Sequence, residues 1–170
     1  MIQKKVCMVG VYGTGKTCLV QRYVHSIFAV KYLSTVGVKI DRKTLDVHGH
    51  AVTLMLWDLE GRDESRNVSA SYIRGAHGVI YVADGTRRDT VETLGELKEV
   101  VERAIGQIPS VVAFNKADLT GEWTLGKSEE STSGGTGLHG IRTSAKTGEG
   151  VEAMFQWLAD ATLASDGAAS

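Results

Sequence analysis

Apolar and polar positions along this chain alternate between two rhythms. Residues 6–9 form a short apolar run that stops at a glycine-rich turn, and residues 16–25 follow with helical spacing at Leu19, Val20 and Tyr23. Residues 38–47 alternate like a strand with one covered face. His48-Gly49-His50 then makes a tight turn into the apolar run 52–57, a pattern that predicts a β-hairpin. The continuous apolar run 78–83 has the composition of a strand buried on both faces in a parallel sheet. Val91, Leu94, Leu97, Val101 and Ile105 give 90–105 a helical period. Residues 111–114 and 141–143 read as two more strands. Residues 151–163 read as a closing helix with Met154, Phe155, Leu158 and Ala161 on its buried face.

One segment breaks the rhythm. Between Leu119 and His139 the chain is rich in Gly, Ser and Thr, including the run 131–137. Each interior glycine costs a helix about 1 kcal/mol relative to alanine, so a short or frayed helix is expected there, or none. The alternation as a whole predicts an α/β sandwich: a mostly parallel sheet with one antiparallel edge strand and helices on both faces. Such sheets take ligands at the carboxyl ends of their strands. The polar motifs fall at those ends.

Gly10-Val-Tyr-Gly-Thr-Gly-Lys16-Thr17 matches the phosphate-loop pattern GxxxxGK[ST], after a strand and opening a helix, which is the context that pattern requires. Glycines let backbone N–H groups curl around phosphates, and the helix N-terminus adds partial positive charge. Lys16 would reach the β- and γ-phosphates, and the Thr17 hydroxyl would ligate Mg²⁺. The loop by itself specifies a nucleotide phosphate and leaves the base open.

Asp58 ends the apolar strand 52–57 and begins a DxxG pattern with Leu59, Glu60 and Gly61. Its carboxylate, at a strand tip beside the phosphate loop, can hold the second shell of Mg²⁺, and the Gly61 N–H is free to approach a γ-phosphate. DxxG is common, so its weight comes from following a phosphate loop at this distance. Asn115-Lys116-Ala117-Asp118 follows the strand 111–114. In this NKxD arrangement an aspartate accepts two hydrogen bonds from the N1–H and amino group of guanine. Adenine offers no such pair and would leave a buried carboxylate unmatched. Ser144-Ala145-Lys146 would close over the base, with the Ala145 N–H directed at the guanine oxygen. The candidate nucleotide contacts are therefore Tyr12, Gly13, Thr14, Gly15, Lys16, Thr17, Cys18, Gly61, Asn115, Lys116, Asp118, Leu119, Ser144, Ala145 and Lys146.

These motifs together resemble the Ras superfamily of small GTPases, and the sequence is most similar to the Rab-like branch. The resemblance runs from Lys4 to Leu163. It includes Tyr32-Leu-Ser-Thr-Val-Gly37, similar to the first switch loop, Trp57-Asp-Leu-Glu-Gly61, similar to the second, and Ser71-Tyr-Ile-Arg-Gly-Ala-His-Gly78, similar to the Rab pattern. It implies a small GTPase domain over 1–164, followed by a short polar tail, 165–170. It also implies a P-loop NTPase three-layer sandwich whose six-stranded sheet has the order 2-3-1-4-5-6, with about five helices. It implies that Thr35 ligates Mg²⁺ and contacts the γ-phosphate. Phe28 would pack on the guanine ring, the backbone near Val30 would lie by the ribose, and Tyr32 would cover the phosphates.

Two departures from the family sit at the chemistry. Tyr12 replaces the second glycine of the phosphate loop. Its ring either crowds the γ-phosphate edge, blocking an arginine finger from a partner, or points to solvent and is tolerated. Arg62 stands where the family has a glutamine that orients the attacking water. A guanidinium accepts no hydrogen bond, so it cannot do that work. Arg62 then leaves hydrolysis at or below the slow family rate, supplies charge to the transition state in cis, or is simply solvated. The expected catalytic set is Lys16, Thr35, Gly61 and Arg62, and the metal set is Thr17, Thr35 and Asp58.

The expected function is a switch that cycles between GTP and GDP with slow Mg²⁺-dependent hydrolysis. The alternative is a GTP-binding interaction module with little or no turnover. A third reading, an ATP-using kinase, is disfavoured by NKAD and SAK. The expected partners are an effector, an exchange factor and a GTPase-activating protein, with the chain itself monomeric. A formal net charge of −1 over 170 residues gives no pull toward nucleic acid. Cys7 and Cys18 lie in apolar runs and read as small buried side chains, in keeping with a reducing, cytoplasmic setting. No apolar run approaches the ~20 residues of a membrane span, and the start lacks a signal-peptide core. The last residues carry no cysteine for a prenyl anchor, so no membrane anchor is expected in this sequence. Either a longer protein has been cut short, or this is a soluble relative, such as the unlipidated Ras-like proteins of prokaryotes.

Overall fold

The computed structural model describes residues 1–28, 37–59 and 69–169. Six strands, β1 (Ile2–Val9), β2 (Val38–Val47), β3 (His50–Leu59), β4 (Gly78–Asp84), β5 (Ser110–Asn115) and β6 (His139–Arg142), form one sheet in the order β2-β3-β1-β4-β5-β6. All neighbouring strands run parallel except β2 on β3. The helices are α1 (Lys16–His25), α2 (Ala70–Ile73), α3 (Arg88–Glu92), α4 (Leu94–Ile105), α5 (Lys127–Ser131) and α6 (Val151–Ala169). Only Thr93 separates α3 from α4, and its φ of −78° and ψ of −15° stay right-handed helical. The two are one stepped helix, so the described residues hold five helical segments, as the family fold requires.

The antiparallel pair exists because of its turn. His48 and Gly49 have φ of 51° and 83°, the left-handed pair that a two-residue hairpin turn of matching twist needs. Val47 therefore pairs with His50. The parallel strands behave as their apolar runs predict: every residue of β4 is buried.

Alternate residues of β1 feed two cores. Val6 and Met8 point into a layer with Leu19, Val20 and Tyr23 of α1 and Met154, Phe155 and Leu158 of α6. Cys7 and Val9 point into the opposite layer with Tyr72 and Ile73, Val91, Leu94, Leu97 and Val101. Tyr23 and Phe155 stack with ring centroids 4.0 Å apart and planes 10° from parallel, which locks α1 to α6. Cys7 is buried and Cys18 half-buried, both as free thiols, and burial pushes the Cys7 thiol up to about 12.

The Gly/Ser/Thr-rich stretch yields only a 3₁₀ turn at Thr120–Glu122 and the five-residue α5, the short helix expected. Residues 165–169, in the short polar tail, are helical and continue α6. Alanines sustain the helix there, and Asp166 is the ion-pair partner of Lys4, a β1 side chain only 3% exposed. No helix among the described residues is long and apolar enough to cross a membrane.

Candidate functional site

The loop after β1 turns into α1 at the carboxyl edge of the sheet, and its conformation is set by close packing. A Cβ on Gly10 would lie 2.4 Å from the Val82 carbonyl oxygen of β4. Gly15 has φ +99°, and a Cβ there would lie 2.2 Å from the Asn115 amide nitrogen. Neither position admits a side chain. The Thr14 hydroxyl, fully buried, donates to the Val11 carbonyl at 3.0 Å and holds the curl.

Lys16 folds back over this loop and donates from Nζ to the carbonyls of Gly10 at 2.8 Å and Val11 at 3.3 Å. Burial lowers its ammonium to about 8, and the nearby Asp58 carboxylate opposes that shift. A buried amine at the start of a helix with no acidic residue in its first turn is poised to receive an anion. At the tip of β3, the Asp58 carboxylate, 1% exposed, accepts the Thr17 hydroxyl at 2.6 Å. One carboxylate and one hydroxyl beside a phosphate loop suit Mg²⁺, which keeps several waters and takes further oxygens from bound phosphates. Among the described residues there is no group of three or more His, Cys, Asp or Glu that could cage a metal without a ligand.

The base-side loops are tied to the phosphate loop by Asn115. Its amide donates to the Thr14 carbonyl at 3.0 Å, and its Oδ1 accepts the Thr143 hydroxyl at 3.2 Å. Asp118 Oδ1 accepts the buried Ser144 hydroxyl at 2.7 Å, which aims its carboxylate across the cleft floor. Ser144 Oγ in turn accepts the Thr147 N–H at 3.1 Å. The result is a cleft of about 340 Å³ lined by Gly13, Gly15, Cys18, Phe28, Asn115, Lys116, Asp118, Leu119, Ala145 and Lys146. Every lining residue is a sequence candidate. Tyr12 is half-buried, and its carbonyl accepts Arg87 Nη1 at 3.3 Å. Val30, Tyr32, Thr35, Gly61 and Arg62 lie outside the described residues.

Three residues escape sequence reasoning. Arg22 of α1 donates to the Ala145 carbonyl at 2.6 Å and also to the Lys146 carbonyl, so it holds the Ser144-Ala145-Lys146 loop from below. Arg87 braces the phosphate loop, and Asp84 sits behind Lys116. No motif in the sequence marks any of the three.

A mostly parallel sheet whose first loop curls tightly into a helix beneath a buried lysine, with a hydroxyl–carboxylate pair and a tied aspartate on the same edge, has the architecture of a phosphate-loop nucleotide-binding protein. The sequence model of the Ras family matches residues 5–164. The chain belongs to the Ras family of small GTP-binding switch proteins, whose members bind GTP and GDP with Mg²⁺ and are generally GTPases.

Proposed function

We propose that this chain is a guanine-nucleotide switch of Rab-like character that turns GTP over slowly. One observation carries the reading: the phosphate loop and the Asn115–Asp118 and Ser144–Lys146 loops converge on a single cleft, cross-tied by Asn115 and Asp118. Asp118 would accept the two protons on guanine's N1 and amino group, and the Ala145 N–H would donate to the guanine oxygen. Phe28 would cover the ring. Lys16 would neutralise the β- and γ-phosphates. Thr17 and Asp58, with Thr35, would hold Mg²⁺, which when bound supplies charge to the phosphate oxygens.

In this reading Thr35 and Gly61 contact the γ-phosphate and order the two switch loops; loss of that phosphate releases them, and an effector that binds only the ordered form reads the difference. An exchange factor and a GTPase-activating protein would complete the cycle. The test is to denature the purified protein and identify the nucleotide released, then to compete guanosine and adenosine phosphates by calorimetry. Stoichiometric guanine nucleotide is expected. Equal competition by adenosine phosphates overturns the reading.

Tyr12 and Arg62 favour a second reading, a GTP-binding interaction module with little turnover. Single-turnover hydrolysis separates the two. If Arg62→Gln hydrolyses faster than wild type, the missing water-positioning glutamine is the brake. If Arg62→Ala is slower, Arg62 contributes charge in cis.

A further inference from the structure

We infer that Asp84, at the end of β4, is a positioning residue for the nucleotide site, acting through Lys116. Asp84 is fully buried. A carboxylate in that setting needs partners on both oxygens. Thr86 supplies Oδ1 with its backbone N–H at 2.9 Å and its hydroxyl at 2.7 Å. The cation facing Oδ2 is Lys116, with Nζ at 2.8 Å, a charge contact rather than an aligned hydrogen bond.

Lys116 needs such a guide. Its backbone is left-handed, with φ of 69°, and its side chain lines the cleft while remaining 36% exposed. A flexible four-carbon stem in that position would sample many rotamers unless its head were fixed. Asp84 fixes it from a strand end that is itself held, because Asp84 pairs in register with Asn115 and Gly85 N–H donates to the Asn115 carbonyl at 3.0 Å. The anchor and the residue that ties the base loop to the phosphate loop are therefore neighbours on adjacent strands.

The inference rests on the guanine-nucleotide reading, and the experiment keeps the two separable. Release of a fluorescent GDP analogue is followed from wild type, Asp84→Asn, Lys116→Met and the double variant, in the full chain. Asp84→Asn is expected to speed release on the order of 10- to 100-fold, the scale on which loss of an outer partner acts at metal sites. Preference for GDP over ADP should be unchanged. If Asp84 acts through Lys116, the double variant releases no faster than Lys116→Met alone. If the two effects multiply, Asp84 is only a structural support and the inference is overturned. Should Asp84→Asn not fold, Thr86→Val decides: it removes one bond from Oδ1 and is expected to speed release several-fold in wild type and not at all in Lys116→Met. The same rate as wild type in the Asp84 variant, or in the Thr86 variant where that one decides, also overturns it. A wild type that shows no guanine preference overturns the parent reading and this inference with it.

Discussion

Lys16 is pulled in two directions by its place in the loop. Burial lowers its proton affinity, and the Asp58 carboxylate only partly restores it, leaving the ammonium at about 8 against the ordinary 10.5. The folded value lies below the unfolded one, so the stability Lys16 contributes as a free amine is complete above 10.5 and is lost as pH falls through about 8. Wild type should therefore gain stability relative to Lys16→Met as pH climbs from 8 to 10, measured by urea unfolding of both proteins. Phosphate oxygens near Nζ would reverse the shift, so nucleotide should erase that trend. At Gly10 the constraint is steric. Gly10→Ala places a methyl group 2.4 Å from the Val82 carbonyl oxygen, and one of the two backbones must move. Overpacking of this kind typically costs about 1–3 kcal/mol, readable as a lower denaturation midpoint. The glycine and lysine were legible in the sequence because the phosphate loop is a contiguous pattern. Arg22, Asp84 and Arg87 were not, because their partners lie far along the chain: Arg22 and Ala145 are 123 positions apart.

At the scale of elements, the stacked Tyr23 and Phe155 rings join α1, which begins at the phosphate loop, to α6. Phe155 is fully buried. Phe155→Ala should cost about 3–5 kcal/mol, seen as a lower urea midpoint with an unchanged slope, and Phe155→Leu considerably less. The elements themselves were readable wherever one physical signal dominated. His48-Gly49 announced the hairpin through its tolerance of left-handed backbone, and the apolar run of β4 announced a strand covered on both faces. Bounds were less legible. β1 begins at Ile2 rather than at the apolar residue Val6, because Gln3, Lys4 and Lys5 still pair with β3 through backbone groups that side-chain pattern does not report. The helical 165–169 likewise has a tertiary partner that the side-chain pattern does not report, Asp166 on Lys4.

Among the described residues, the motifs reach the site from different strand ends. β1 supplies the phosphate loop, β3 supplies Asp58, β5 supplies Asn115–Asp118, and the turn after β6 supplies Ser144–Lys146. A ligand touching all of them should resist unfolding of the entire domain. GDP with Mg²⁺ at 100 times its dissociation constant should add about 2.7 kcal/mol of stability and raise the melting temperature with concentration, while ADP at the same concentration should not. A thermal shift series in both nucleotides checks this. The overall order of strands was legible only through the family resemblance, since periodicity says which segments are strands and not which lie side by side.

β1 lies between β3 and β4 and sends alternate side chains into both cores. Its amides should therefore be the last to exchange with deuterated water, opening only when the domain itself opens. The phosphate loop grows directly from that strand, while the Asp118 carboxylate is held by the Ser144 hydroxyl from the turn after β6. A bound nucleotide should therefore be able to leave and return many times within one lifetime of the fold, without loosening that frame.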